Sequence, residues 1–261
     1  MNKSRSLLPA SKLLGTISPK LIDALVAEYN DHIAPRLEHF TYAGQTTEGL
    51  RYADTHNLQQ FSERVFRIDD DQPYDPTNNY SVFPLTKINN TFAHSIPSDT
   101  PPIVENLSYK LMRAVHLDPS SSRYTPSSDP KNFTTIIESL PPTFEVLLKA
   151  LSTQGQIART YIATLGPNTS IFEHIDADSC EYIKVHIPLV SSPECKIAVR
   201  YKKQLQVFDN TPGSIMFYNV GYPHYATNNS TSTKRVNLVV TFNTQQILEF
   251  GESTDLLQYG L

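Results

Sequence analysis

RTYIATL (159–165), EYIKVHIPLV (181–190), KIAVRY (196–201), QLQVF (204–208), SIMFY (214–218), YPHYAT (222–227) and RVNLVVTF (235–242) follow one another late in the chain. Each run is short and rich in β-branched and aromatic residues, a composition that suits a pleated strand better than a helix. Gly166-Pro167, Ser191-Ser192-Pro193, Pro212-Gly213 and the polar stretch 228–234 separate them with turn-forming residues. The close spacing favours an antiparallel sandwich or barrel over βαβ units.

Upstream, the pattern changes. Ser18 and Pro19 make an N-cap and first-turn pair, and Leu21, Ile22, Leu25, Val26 and Tyr29 recur at helical spacing, which predicts a helix over 19–33. Val104, Leu107, Leu111, Ala114 and Val115 mark a second amphipathic helix, and Phe144, Leu147, Leu148 and Leu151 a third after Pro141-Pro142. Stretches 69–80, 95–102 and 118–132 read as long polar loops. The Asp69-Asp70-Asp71 run lacks the alternating ligands and glycine of a calcium loop and reads as a solvated turn. The expected organisation is a helical, loop-rich supporting region over 1–155, a β core over 156–250 and a tail over 251–261, with the helices covering one outer face of the β core.

The 261 residues suffice for one large domain, and 22 Lys plus Arg against 26 Asp plus Glu offer no electrostatic footprint for nucleic acid. Cys180 and Cys195 are too few for a disulfide scaffold, which fits a reducing, cytoplasmic setting. No apolar run approaches the 18 or so residues of a membrane span, and the N-terminus reads as plain basic sequence rather than a presequence.

Chemistry concentrates at His174-Ile175-Asp176. On a strand, positions i and i+2 share a face, so imidazole and carboxylate would point into one cavity. His224 follows 48 positions later, far enough for the chain to cross a barrel and return. Two histidines and a carboxylate can occupy one face of an octahedron, the facial triad of non-haem Fe(II) oxygenases. Arg235 opens an otherwise buried strand; its guanidinium needs a partner, and the distal carboxylate of 2-oxoglutarate would meet it in a two-pronged hydrogen bond, although taken in isolation an end-of-strand Arg in a surface pair is the favoured reading.

His174-Ile175-Asp176, Tyr182 to Leu189 (YIKVHIPL), Asn219 to His224 (NVGYPH), Asn228 and Arg235 together resemble the aspartyl/asparaginyl β-hydroxylase and proline hydroxylase family of Fe(II)/2-oxoglutarate-dependent dioxygenases. The resemblance spans about Arg159 to Phe242. It implies a mainly β protein with flanking helices (α+β): a double-stranded β-helix, jelly-roll or cupin-like, with N-terminal helices packed on the major sheet. It also implies that His174, Asp176 and His224 hold iron and that Arg235 binds 2-oxoglutarate. Lys184 stands where relatives usually have an Arg that helps hold the co-substrate or substrate carboxylate, and keeps the charge without the planar fork. His186 matches a position near the co-substrate, with a core histidine as the alternative. Asn228 orients a ligand or caps a turn, the turn being favoured.

The implied reaction consumes dioxygen and 2-oxoglutarate, releases succinate and CO2, and hydroxylates an unactivated C–H of an amino acid, peptide or protein residue. Arg123 or Tyr124 is a candidate reader of the substrate carboxylate. The competing reading is a non-catalytic, cupin-like metal-binding or scaffold module. Halogenation is disfavoured because Asp176 fills the position a halide needs. Cys180 reads as a small buried residue. His32, His39, His56, His94 and His116 show no ligand spacing, and no GxSxG elbow supports a hydrolase.

Overall fold

A computed structural model describes residues 8–35, 80–87, 133–137, 140–176 and 182–243. Its strands are β1 (Ser11–Thr16), β2 (Tyr80–Pro84), β3 (Thr86–Lys87), β4 (Thr135–Ile136), β5 (Ile157–Leu165), β6 (Thr169–His174), β7 (Ile183–Val190), β8 (Cys195–Tyr201), β9 (Gln204–Asp209), β10 (Ser214–Tyr218), β11 (His224–Asn228) and β12 (Arg235–Phe242). Helix α1 spans Pro19–Glu28 and α2 spans Pro142–Ser152.

The strands from β5 onward form two facing antiparallel sheets. The larger has the order β1-β10-β7-β12-β5-β2 and the smaller β6-β11-β8-β9; β3 and β4 pair separately. From β5 to β12 the chain passes back and forth between the sheets, apart from the β8–β9 hairpin within the smaller one, the winding of a double-stranded β-helix. The fold is thus the expected one: mainly β, with helices on the outside of the larger sheet.

Period-two alternation decides what each face does. On β7, Ile183, Val185, Ile187 and Leu189 join the apolar layer under the helices, and on β12 Val236, Leu238, Val240 and Phe242 do the same. That layer takes Ile22, Leu25, Tyr29 and Ile33 from the first helical segment and Phe144, Leu147, Leu148 and Leu151 from α2. The alternate positions, Lys184, His186 and Pro188 on β7 and Arg235, Asn237, Val239 and Thr241 on β12, therefore face the barrel interior.

The N-terminal part differs from the sequence reading in two respects. It contributes strands as well as helices: β1 pairs with β10 and β2 with β5 at opposite edges of the larger sheet. The helix expected over 19–33 is α-helical only to Glu28 and continues as a π-helical turn, Tyr29–Ile33, which sets the Tyr29 hydroxyl 3.0 Å from Thr164 Oγ1 on β5. The helix expected over 104–115, the acidic run 69–71 and the loop 118–132 with Arg123 and Tyr124 lie outside the described residues, as does Cys180. Among those described, no helix is long and apolar enough to cross a membrane.

Candidate metal and co-substrate site

His224 is the first residue of β11 and stands opposite His174, the last residue of β6, in the smaller sheet. The His174 side chain lies outside the described residues. β6 ends at His174, so strand alternation does not aim Asp176, as the sequence reading assumed. Instead the backbone N–H of Asp176 donates to the carbonyl of Val220 at 3.0 Å, tying the residue to the turn that leads into β11.

The result is a convergence. His224 Nε2 lies 3.6 Å from Asp176 Oδ2, and both residues are buried. His224 Nδ1 sits 3.0 Å from the carbonyl oxygen of Tyr222. A carbonyl only accepts, so Nδ1 carries the proton and donates, leaving the Nε2 lone pair facing the carboxylate. Two donor atoms sharing one metal at about 2.1 Å each, at right angles, stand about 3 Å apart, so a buried imidazole nitrogen and carboxylate oxygen at 3.6 Å fit a divalent cation with modest adjustment. Among the described side chains no trio of His, Cys, Asp and Glu gathers at one point; His174 is the candidate third ligand by register.

Lys184 enters the same place from the larger sheet. Its Nζ donates to Asp176 Oδ2 at 2.5 Å, with both side chains almost enclosed, and lies 5.9 Å from the centre of the Tyr161 ring. The sequence reading placed Lys184 at the co-substrate; here it holds the carboxylate expected to ligate metal.

Two residues further along β7, His186 presents another inward imidazole. Both ring nitrogens are shielded from solvent and have no hydrogen-bond partner among the described residues. The ring meets Tyr218 edge to face at 5.3 Å. Burial first, and then the charges of Arg235 and Lys184, hold its pKa well below the ordinary histidine value, so the imidazole is neutral. A buried neutral imidazole has one donor and one acceptor to satisfy, which fits a polar ligand lying between Lys184 and Arg235. Burial also pushes the Tyr218 hydroxyl up to about 12, against a lowering by Arg235.

Arg235 is 2% exposed. Its Nη2 lies 2.7 Å from one atom of the Asn237 carboxamide, which must be the oxygen because two donors cannot meet at that distance. Nη2 also lies 3.4 Å from the Asn210 carboxamide, which contacts that of Asn237. Sequence reasoning missed this pair. Asn237, two positions after Arg235 and therefore on the same face of β12, was within its reach; Asn210, distant in the chain, was not. Asn228 is fully committed to the turn: its Nδ2 donates to the carbonyls of Leu165, Gly166 and Thr233, and its Oδ1 accepts from Ser230 N.

Comparison with known proteins bears on the family. The family model of aspartyl/asparaginyl β-hydroxylase matches residues 123–245. No curated protein sequence matches the chain. Among solved structures, a Pseudomonas putida prolyl-4-hydroxylase is similar at 10% identity, with 90% of this chain and 91% of that one covered and a TM-score of 0.45. AviO1 from Streptomyces viridochromogenes Tue57 is similar at 12% identity over 90% of each chain, TM-score 0.45. HygX from Streptomyces hygroscopicus, solved with nickel and 2-oxoglutarate bound, is similar at 12% identity over 40% of this chain and 68% of its own, TM-score 0.34. At these scores the structural likenesses add no weight to what the strand order already establishes. The family read as a resemblance from His174-Ile175-Asp176, His224 and Arg235 is the one whose model matches residues 123–245, a stretch that contains all of these residues.

Proposed function

We propose that this protein is an Fe(II)- and 2-oxoglutarate-dependent dioxygenase that hydroxylates an unactivated C–H of an amino acid or peptidyl residue. The observation that carries the reading is the convergence of His224 Nε2 and Asp176 Oδ2, 3.6 Å apart at one end of a barrel whose other inward residues include a shielded imidazole with no hydrogen-bond partner among the described residues. His174, Asp176 and His224 would hold the iron, and Arg235, with Lys184 and His186, the co-substrate. Iron, 2-oxoglutarate and dioxygen together supply the oxidising power, with succinate and CO2 as by-products.

The chain's own residues position and exclude. The Tyr222 carbonyl fixes the His224 tautomer, so that Nε2 presents its lone pair without a proton transfer. Asn237 holds the Arg235 guanidinium with a neutral carboxamide oxygen, which leaves its charge in place for a carboxylate. Neutral His186 donates one ring N–H to the same ligand. Tyr161, Ala163, Leu165 and Val239 line the interior beside these groups and keep water from them.

Anaerobic titration of metal-free protein with Fe(II) and 2-oxoglutarate tests the reading. A weak visible charge-transfer band is expected, lost in His224→Ala and weakened in Arg235→Ala. A protein that binds no iron and shows no band is not an oxygenase, and the scaffold reading would then replace this one.

A further inference from the structure

Resting on the proposed iron site, we infer that Lys184 is a built-in competitor of the metal: its ammonium occupies Asp176 Oδ2 when the metal is absent, and metal binding requires its displacement. The geometry is specific to one atom. Asp176 Oδ2 is both the oxygen that accepts from Lys184 Nζ at 2.5 Å and the oxygen 3.6 Å from His224 Nε2. A divalent ion held by His224 and Asp176 would compete with the ammonium for the same carboxylate oxygen, where two positive charges repel in a nearly enclosed site.

The surroundings provide a second place for the displaced ammonium. Thr241 stands directly opposite Lys184 in the pairing of β12 with β7, and its buried Oγ1 has no hydrogen-bond partner among the described residues. An acceptor at that position can take an N–H from Lys184 once Asp176 turns to a metal. The Tyr161 ring centre lies 5.9 Å from the ammonium where it now stands. Released from Asp176, the ammonium is available to the carboxylate of a co-substrate. Lys184 thus links the two ligands: metal drives it off Asp176 and makes its charge available, and an anion that holds it away favours the metal by the same factor. An arginine at this position would not move so readily, because its planar fork fixes it to one partner.

The test is the affinity of purified, metal-free protein for Mn(II), read by electron paramagnetic resonance of the free ion, without 2-oxoglutarate. Lys184→Met keeps the stem and removes the competitor, and it is expected to bind Mn(II) about ten-fold tighter than the parent. Lys184→Gln, which preserves a hydrogen-bond donor to Asp176 should the methionine variant fold poorly, is expected to shift the same way. Equal or weaker Mn(II) binding by whichever variant folds overturns the competitor role while leaving the iron site standing. Mn(II) binding by the parent that survives in His224→Ala would overturn both, because the ion would then lie elsewhere.

Discussion

Asp176 and His186 show how a single inward residue acquires its chemistry from neighbours the sequence does not display. The HxD spacing made Asp176 a candidate ligand, but nothing in one dimension indicates that Lys184, eight positions on and in the other sheet, reaches its Oδ2. His186 is the complementary case, an imidazole read as either core or ligand-facing, whose two shielded nitrogens give it the character of a site residue. Its depressed pKa has a consequence for stability. With the folded-state value well below the ordinary 6.5, the unfolded chain takes up a proton first as pH falls. The folded state therefore loses stability from about pH 6.5 downward, until the folded pKa is reached, by at most about 1.4 kcal/mol per pH unit from this residue. Denaturant unfolding of the parent and His186→Gln at pH 7 and pH 5 checks this: the variant should lose less on acidification. An identical loss in both proteins would show that His186 is not the group responsible.

At the scale of elements, the contacts that fix the helices against the barrel are the ones sequence patterns describe least. Helix α2 opens at Pro141-Pro142, and Pro141 offers no side-chain cap. Glu28, at the end of α1, supplies it instead: its carboxylate accepts from Thr143 N at 2.9 Å, Phe144 N at 3.2 Å and the Thr143 hydroxyl at 2.6 Å, placing negative charge at the positive end of α2. Apolar periodicity announced both helices; their mutual cap was invisible because it joins residues more than a hundred positions apart. β1 was missed for a different reason. Only Leu14 of Ser11–Thr16 is buried, so no alternation appears, and its pairing with β10 is broken by a register shift between Leu13 and Gly15. Gly213 joins these pieces. It has φ +79, accepts from Ile17 N, and a Cβ there would lie 3.1 Å from the Ile17 carbonyl oxygen and 3.3 Å from Ile22 Cγ1. Gly213→Ala combines a left-handed backbone with a crowded Cβ and is expected to destabilise the fold by about 1–3 kcal/mol, measured as a lower denaturation midpoint. A midpoint within error of the parent would mean that the 17–22 segment yields freely.

Across the whole molecule, the two sheets divide the work of the proposed site. His174, Asp176 and His224 belong to β6, the segment following it and β11 on the smaller sheet, whereas Lys184, His186 and Arg235 belong to β7 and β12 at the centre of the larger one. This division explains why the β half was readable in advance. Short alternating runs and their turns dictate the winding, and the winding brings residues separated by tens of positions into one cavity; the side-chain links between sheets are set by packing and carry no local signal. It also makes the two ligands thermodynamically separable. Mn(II) alone should raise the melting temperature by acting on the smaller sheet, and 2-oxoglutarate added with Mn(II) should raise it further by joining the sheets, contributing about 2.7 kcal/mol at a hundred times its dissociation constant. His224→Ala should abolish both increments. Arg235→Met, which keeps the buried stem, should retain the Mn(II) increment and lose the 2-oxoglutarate one. If Arg235→Met instead lost both, the charge in the larger sheet would be required for the metal itself, and the division between sheets would not hold.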